Sequence, residues 1–307
     1  MSALYWEERF QSWATPPGKS EEDRIENAVT AIRKGMDTDD KLAPITKVYV
    51  QGSYRNRVNV RQESDVDIGI LYTGGGFYDE YPEGLSRESF GISDHPYKYS
   101  QFKEDIAKAL TNRFGTTGVH RGNKAFDIHP NSYRVDADVV PVFEHRRYKV
   151  GGSYNSGVQL FPDTGGKIIN WPEQLLDGWP LQHYEEGVAK NDTTKRTFKG
   201  VVRILKKLRV DMEEAGHQSA KDILGFLIEC MVYNVPNDRF FHPTWDEVVT
   251  RVIRNIWTNT KTTENCNDWV EVSGWRWLFR GQPDAKRAAA YKFIDEAWTY
   301  IGVRKYD

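Results

Sequence analysis

A Gly-Ser turn followed by two acids in one apolar segment constrains this chain most: Gln51-Gly52-Ser53-Tyr54, then, twelve residues after the serine, Asp65-Val66-Asp67-Ile68-Gly69-Ile70. Read as a strand, the segment puts Asp65 and Asp67 on one face and Val66, Ile68 and Ile70 on the other, because alternate side chains share a face. Two carboxylates that close repel unless something positive sits between them, and a divalent metal is the most economical solution. Lys47 to Ser53 (KVYVQGS) is β-rich and stops at the glycine, so strands flank the turn. A strand ending in Gly-Ser exposes N–H groups and a hydroxyl that can cradle a phosphate. Alone, each motif is weak: Gly-Ser is common in plain turns, and an Asp-x-Asp pair more often faces solvent on an edge strand.

The acid pattern recurs. In Tyr133 to Phe143 (YRVDADVVPVF), Asp136 and Asp138 share one face and Val135, Ala137 and Val139 the other, and the segment pairs with Ala125 to His129 (AFDIH) across a Pro-Asn-Ser turn as an antiparallel hairpin. If the two acid-bearing strands are neighbours in one sheet, three or four carboxylates meet. Oxygen-only clusters suit Mg²⁺ or Mn²⁺, and two such ions roughly 3.5–4 Å apart stabilise both the attacking and the leaving oxygen of a phosphoryl displacement. Both Asp136 and Asp138 lie on the face that would complete the set.

Helical spacing governs other stretches. Ser20 to Met36 carries Ile25, Ala28, Val29 and Ile32 in helical register behind a capping-box pattern, Ser20 with Asp23. A second helix fits Phe102 to Phe114, and Gly74-Gly75-Gly76 is expected to end the Val66 to Tyr72 strand as a flexible turn. Beyond about Asp192 the pattern turns helical: Phe198, Val201, Val202, Leu205 and Leu208, then Ile223 to Val235, then Ala285 to Ile301. A mixed α/β lobe followed by a helical lobe results, with a boundary near residues 188–195. In Lys195 to Arg209 every charge is basic, and Lys199, Arg203 and Lys206 fall at i, i+4 and i+7, which suits a bound triphosphate or acids of the other lobe.

Several function classes find no support. A net charge of −2 lacks the basic excess of a long nucleic-acid groove. Cys230 and Cys266 form no metal spacing and read as reduced and structural, the histidines show no HExxH pattern, and no GxSxG elbow exists. Trp171, Trp179, Trp275 and Trp277 read as core. Ile223 to Val235 contains Glu229 and falls short of a membrane span, and the charged first residues do not make a signal peptide, so a cytoplasmic protein is expected.

Gly52-Ser53 followed by Asp65-Val66-Asp67 and a later strand acid resembles the signature of the polymerase-beta-like nucleotidyltransferases. More narrowly, QGSYRNRVNVRQESDVDIGI, NKAFDIHPNSYRVDADVVP, GGKIINWPEQ and VVRILKKLR, in this order, resemble the bacterial CD-NTases, relatives of cyclic GMP-AMP synthase and oligoadenylate synthase, and clade E above all, from about Trp6 to Ile301. The resemblance implies a bilobed α/β fold: a mixed-sheet nucleotidyltransferase core lobe over 1–190 and a helical lobe over 191–307 that completes the nucleotide cleft. It implies that Asp65 and Asp67 bind two Mg²⁺ or Mn²⁺ ions, while Asp138, favoured over Asp136 by its DVVP block, binds the catalytic ion and helps activate a ribose 3'-hydroxyl, with pyrophosphate leaving. Gln51, Gly52 and Ser53 would hold the triphosphate, helped by Lys206 and less firmly by Lys199 and Arg203.

By the same resemblance Asn170 reads uracil, its amide both donating and accepting, the alternative being a structural Asn-Trp-Pro turn. Phe226 stands where the family's Pro-Ser-Tyr block has tyrosine, here Leu224-Gly225-Phe226, so base stacking and a core role both stay open. The implied activity joins UTP and ATP into cyclic UMP-AMP, a messenger that activates a separate effector in anti-phage signalling. A monomer with no membrane or long nucleic-acid partner is expected. Two other readings keep the fold: nucleotide transfer to an RNA or protein acceptor, and a non-catalytic nucleotide sensor.

Overall fold

The structure, a computed structural model, describes residues 3–60, 65–170 and 182–302, and the chain divides into two compact units. Trp171 and Trp179 lie outside the described residues.

The unit made of Gly18–Arg55 and Ser64–Leu181 is α/β. Its strands are β1 (Thr46–Val50), β2 (Val66–Glu80), β3 (Val119–Arg121), β4 (Phe126–Ile128), β5 (Ala137–Tyr148), β6 (Tyr154–Leu160) and β7 (Ile168–Asn170). They form one sheet in the order β1-β2-β5-β4-β3, with β6 joining β5 further along and β7 joining β6. Strands β2 and β5 run parallel and the other pairs antiparallel, so the sheet is mixed as expected, and the β4/β5 hairpin is as the sequence predicts. Helices α2 (Lys19–Asp37) and α4 (Tyr99–Phe114) bury Ile25, Ile32, Phe102 and Ile106 in the same core as Ile68, Ile70 and Val139 of the sheet. Each such side chain contributes about 2 kcal/mol by leaving water. The short α3 (Gly52–Arg55) follows β1 directly.

Two local expectations are corrected. Helix α2 begins at Lys19 with Gly18 as an extended N-cap and no side-chain cap bond, so Ser20 lies inside the first turn, where Glu21 and Glu22 favour the helix dipole instead. The Gly74-Gly75-Gly76 run does not end β2; the strand continues to Glu80 with its register against β5 shifted between Tyr72 and Phe77. Glycine is what makes that irregularity fit: a Cβ on Gly74 would lie 2.4 Å from the Tyr72 hydroxyl, and Gly75 has φ +93°.

The other unit, Met1–Pro17, Asn56–Glu63 and Gln182–Asp307, is helical. It holds α1 (Ala3–Ala14), α5 (Gln182–Thr193), α6 (Thr197–Glu214), α7 (Gln218–Lys221), α8 (Gly225–Tyr233), α9 (Trp245–Thr260) and α10 (Asp284–Tyr300). Its bounds run differently from 191–307, because Trp6 and Phe10 of α1 and Val58 are buried with Phe198, Leu205 and Leu208 of α6. Helix α8 buries Leu227 to Val232, as the apolar run predicts, and Cys230 and Cys266 are buried and unpaired. Trp275 and Trp277 are not core: they are 39% and 42% exposed. Among the described residues no helix is long and apolar enough to cross a membrane.

Candidate active site

Strand register builds the acidic face. Parallel pairing of β2 with β5 sets Asp67 beside Asp138, and antiparallel pairing of β4 with β5 sets Asp127 across from Asp138. Directly paired residues share a face, so Asp67, Asp138 and Asp127 form a row across three strands. The opposite face carries Val66, Ile68, Ala137 and Val139, all at most 1% exposed. Asp65 precedes β2 and Asp136 precedes β5, where Val66 N donates to the Asp136 carbonyl oxygen at 3.0 Å. Asp138 holds the centre of the row, and Asp136 flanks Asp65. Register sets Asp138 beside Asp67 and brings Asp136 beside Asp65, so both acids adjoin the pair.

The carboxylates of the row act on one another. Burial, then the charges of Asp127, Asp67 and Asp65, push the Asp138 carboxyl up to about 6. Burial, then Asp136 and Asp127, likewise raise Asp65. Asp127 is the group that the sequence reading passes over. Its signal was present, an acid between the inward Phe126 and Ile128, but its neighbour in the sheet is a matter of register.

The Gly-Ser turn is locked to this row. Gln51 N donates to the Asp67 carbonyl oxygen at 2.9 Å. Gly52 has φ +68°, and a Cβ there would fall 1.9 Å from Asp67 Oδ2, so glycine is demanded twice, by dihedral and by the carboxylate lying over it. Ser53 follows as the second residue of α3, half-buried. Gln51 Oε1 accepts from the Tyr49 hydroxyl at 3.4 Å, and the Tyr49 ring covers Gly69, where a Cβ would be 2.2 Å away.

Among the described residues no group of three acids, histidines or cysteines converges tightly enough to enclose an ion as it stands. The row is therefore an open bank of carboxylates. Its donor chemistry still fits a divalent cation: hard oxygen ligands, and two acids raised by burial first and then by neighbouring carboxylates.

The cations of α6 do not act as one patch. Arg203 is committed to backbone: Nε donates to the Ala14 carbonyl oxygen at 2.8 Å, Nη2 to the same oxygen, and Nη1 to that of Arg57 at 2.6 Å. It clasps the end of α1 and Arg57 to α6, which accounts for its burial. Lys199 Nζ lies 5.3 Å from the centre of the Tyr184 ring. Lys206 Nζ stands 3.5 Å from Glu229 Oε2, and Glu229 Oε1 accepts from His183 Nε2 at 3.0 Å. Although burial opposes ionisation of Glu229, Lys206 and His183 hold its carboxyl below the usual range.

Phe226 opens α8 at 45% exposure, against the His183 ring at 5.9 Å, so it is not a core phenylalanine. Asn170 ends β7, exposed and opposite Val158. The structure thus gathers Gln51, Gly52, Ser53, Asp65, Asp67 and Asp138 in the α/β unit, places Asn170 on an outer strand of its sheet, and keeps Lys199, Arg203, Lys206 and Phe226 in the helical unit.

Residues 185–302 match the family of the cGAS/DncV-like nucleotidyltransferase C-terminal helical domain. The cyclic dipyrimidine nucleotide synthase CdnE of Cecembia lonarensis is 39% identical over 91% of this chain and 92% of its own length. The synthase of that name from Legionella pneumophila is 38% identical over 97% and 99%. The solved structure of the Elizabethkingia meningoseptica CdnE cyclic dinucleotide synthase, with GTP and Apcpp, superposes with a TM-score of 0.77 at 31% identity, covering 97% of this chain and 99% of that one.

Proposed function

Because this chain belongs to the CdnE cyclic nucleotide synthases of the CD-NTase family, and is therefore a nucleotidyltransferase, we propose that it joins two NTPs by successive 3'-5' transfers into a uracil-containing cyclic dinucleotide. The observation that carries the assignment of the chemistry is the register that puts Asp138 beside Asp67 while Asp67 lies over Gly52.

In the first transfer the ribose 3'-oxygen of one NTP bonds to the α-phosphorus of the other, pyrophosphate leaves and the hydroxyl proton is lost; in the second, the remaining 3'-oxygen of the linear dinucleotide bonds to the α-phosphorus of its own 5'-triphosphate, again releasing pyrophosphate and a proton, and the ring closes. Two divalent cations, Mg²⁺ or Mn²⁺, held when bound by Asp65, Asp67 and Asp138, supply charge neutralisation for the attacking and leaving oxygens. Asp138, at the centre of the row, orients the hydroxyl and draws its proton away. The backbone turn at Gln51-Gly52 and the Ser53 hydroxyl receive triphosphate oxygens, for which donors at the start of a turn are suited. In this reading the acidic row carries out transfer, Lys206 is a phosphate contact and Phe226 a base contact. Lys199, beside Tyr184, is a secondary phosphate contact, whereas Arg203 is reassigned from ligand to scaffold.

Asn170 selects uracil through an amide that both donates and accepts. Cyclic UMP-AMP, made from UTP and ATP, follows if the second base is adenine. The names of the relatives at 39% and 38% identity favour a second reading, a product with two pyrimidines. Release of the messenger to an effector in anti-phage defence is the expected biological use.

Incubation with all four radiolabelled NTPs and Mg²⁺ or Mn²⁺, then phosphatase and mass spectrometry, tests the proposal. A resistant uracil–adenine compound supports cyclic UMP-AMP, and a resistant uracil compound without purine supports the dipyrimidine reading. A resistant product lacking uracil removes Asn170 from base selection. Labelled RNA or protein in place of a small resistant product overturns cyclisation.

A further inference from the structure

We propose that Glu229 is a positioning residue that sets two nucleotide-facing groups of the helical unit together, the Lys206 ammonium for phosphate and the Phe226 ring for a base, the second through His183. The inference rests on the reading of Lys206 and Phe226 given above.

Glu229 has a side chain only 4% exposed, and an ionised carboxylate so placed is costly unless fully partnered. Each of its oxygens has a partner on a different helix: Oε1 takes the His183 Nε2 hydrogen at 3.0 Å from α5, and Oε2 lies 3.5 Å from Lys206 Nζ of α6. Phe226 precedes Glu229 by three residues on α8, a spacing that makes side chains neighbours on a helix surface. The His183 ring closes the set, 5.9 Å from the Phe226 ring at an interplanar angle of 34°.

The path of Lys206 is fixed along its length as well. A Cβ on Gly225 would lie 3.4 Å from Lys206 Cε, so the side chain runs against the first turn of α8 before ending at Glu229. A lysine side chain otherwise loses much rotamer freedom when it grips a phosphate, and a partner that already holds it removes that loss from binding. One carboxylate contact leaves further N–H directions on the ammonium for phosphate oxygens. His183 acts alike on the base side, holding its ring where Phe226 rests and leaving the exposed part of Phe226 to a ligand.

A merely structural pair, in which Lys206 exists to neutralise Glu229, makes different predictions. The test is equilibrium binding of a non-hydrolysable UTP analogue and of uridine to the full chain, with KM and kcat alongside. Glu229→Gln should weaken the analogue about tenfold, the scale of one charged contact, and raise KM by the same factor with kcat within about threefold. Added to Lys206→Met, it should cost nothing further in the affinity that the triphosphate adds over uridine. His183→Gln should weaken uridine itself about threefold, as loss of ring support does.

If Lys206→Met loses the analogue but Glu229→Gln binds it like the wild type, the positioning role is overturned and the phosphate reading stands. If Lys206→Met binds it like the wild type, the phosphate reading fails and the inference with it. Should Glu229→Gln not fold, Glu229→Asp keeps the charge and withdraws it by one methylene. An intermediate loss then supports the role, and unchanged affinity overturns it.

Discussion

The acidic row of the sheet and the helical unit handle clustered charge in opposite ways. Asp67, Asp138 and Asp127, with Asp65 beside them, are of one sign, and partial burial together with those neighbours moves Asp65 and Asp138 up in pKa. In the helical unit Glu229 sits between a lysine and a histidine and moves down, while Arg203 is satisfied by two carbonyl oxygens. Charges that are matched serve to position, whereas a cluster of like carboxylates costs stability that a bound cation would offset. The contrast is therefore functional as well as energetic, and it can be broken at either side.

The largest effect should come from emptying the repelling side. Asp65→Ala with Asp67→Ala should reduce cyclic dinucleotide synthesis at least ~10³-fold, about 4 kcal/mol of barrier, with the far-UV circular dichroism unchanged. Synthesis at the wild-type rate would sink the site. Gly52→Ala comes next: a methyl group at φ +68°, in the space of Asp67 Oδ2, should displace that carboxylate and lower turnover roughly a hundredfold in a steady-state assay.

The matched side should instead fail in stability. Arg203→Met leaves the Ala14 and Arg57 carbonyl oxygens without this donor, and a loss of about 2–3 kcal/mol in urea unfolding is expected. Asp138→Asn should go the other way, by about 1 kcal/mol once solvent screening is allowed for, in chelator-treated protein. With a folded pKa of about 6 against an ordinary 3.8, Asp138 binds its proton more tightly folded than unfolded. Wild-type stability accordingly falls as pH rises from about 4 to about 6, and the deficit persists above that range. The asparagine variant should be the more stable protein at pH 8 and lose that advantage below about pH 4; urea midpoints at the two pH values decide it.

Much of this was legible beforehand, for local reasons. Ile25, Ala28, Val29 and Ile32 had to share a helix face, and Val66, Ile68 and Ile70 a sheet face, because periodicity alone decides both. Gly52 was legible as a turn glycine, though the carboxylate filling its missing side chain was not. The capping box at Ser20 was misread because the helix already begins at Lys19, with Gly18 as its N-cap two residues before Ser20, and the triple glycine because a bulge uses the same residues as a turn.

The amino-acid sequence by itself determined the strongly periodic elements, among them α2, α4, α6 and the two acid-bearing strands, and which side of each is polar, since those follow from alternation and spacing within a few residues. Asp127, the commitment of Arg203 and the Lys206–Glu229–His183 set were decided only by tertiary structure. Register between strands and partners between helices depend on residues far apart in the chain, and which groups face a charge is decided only when its neighbours are in place.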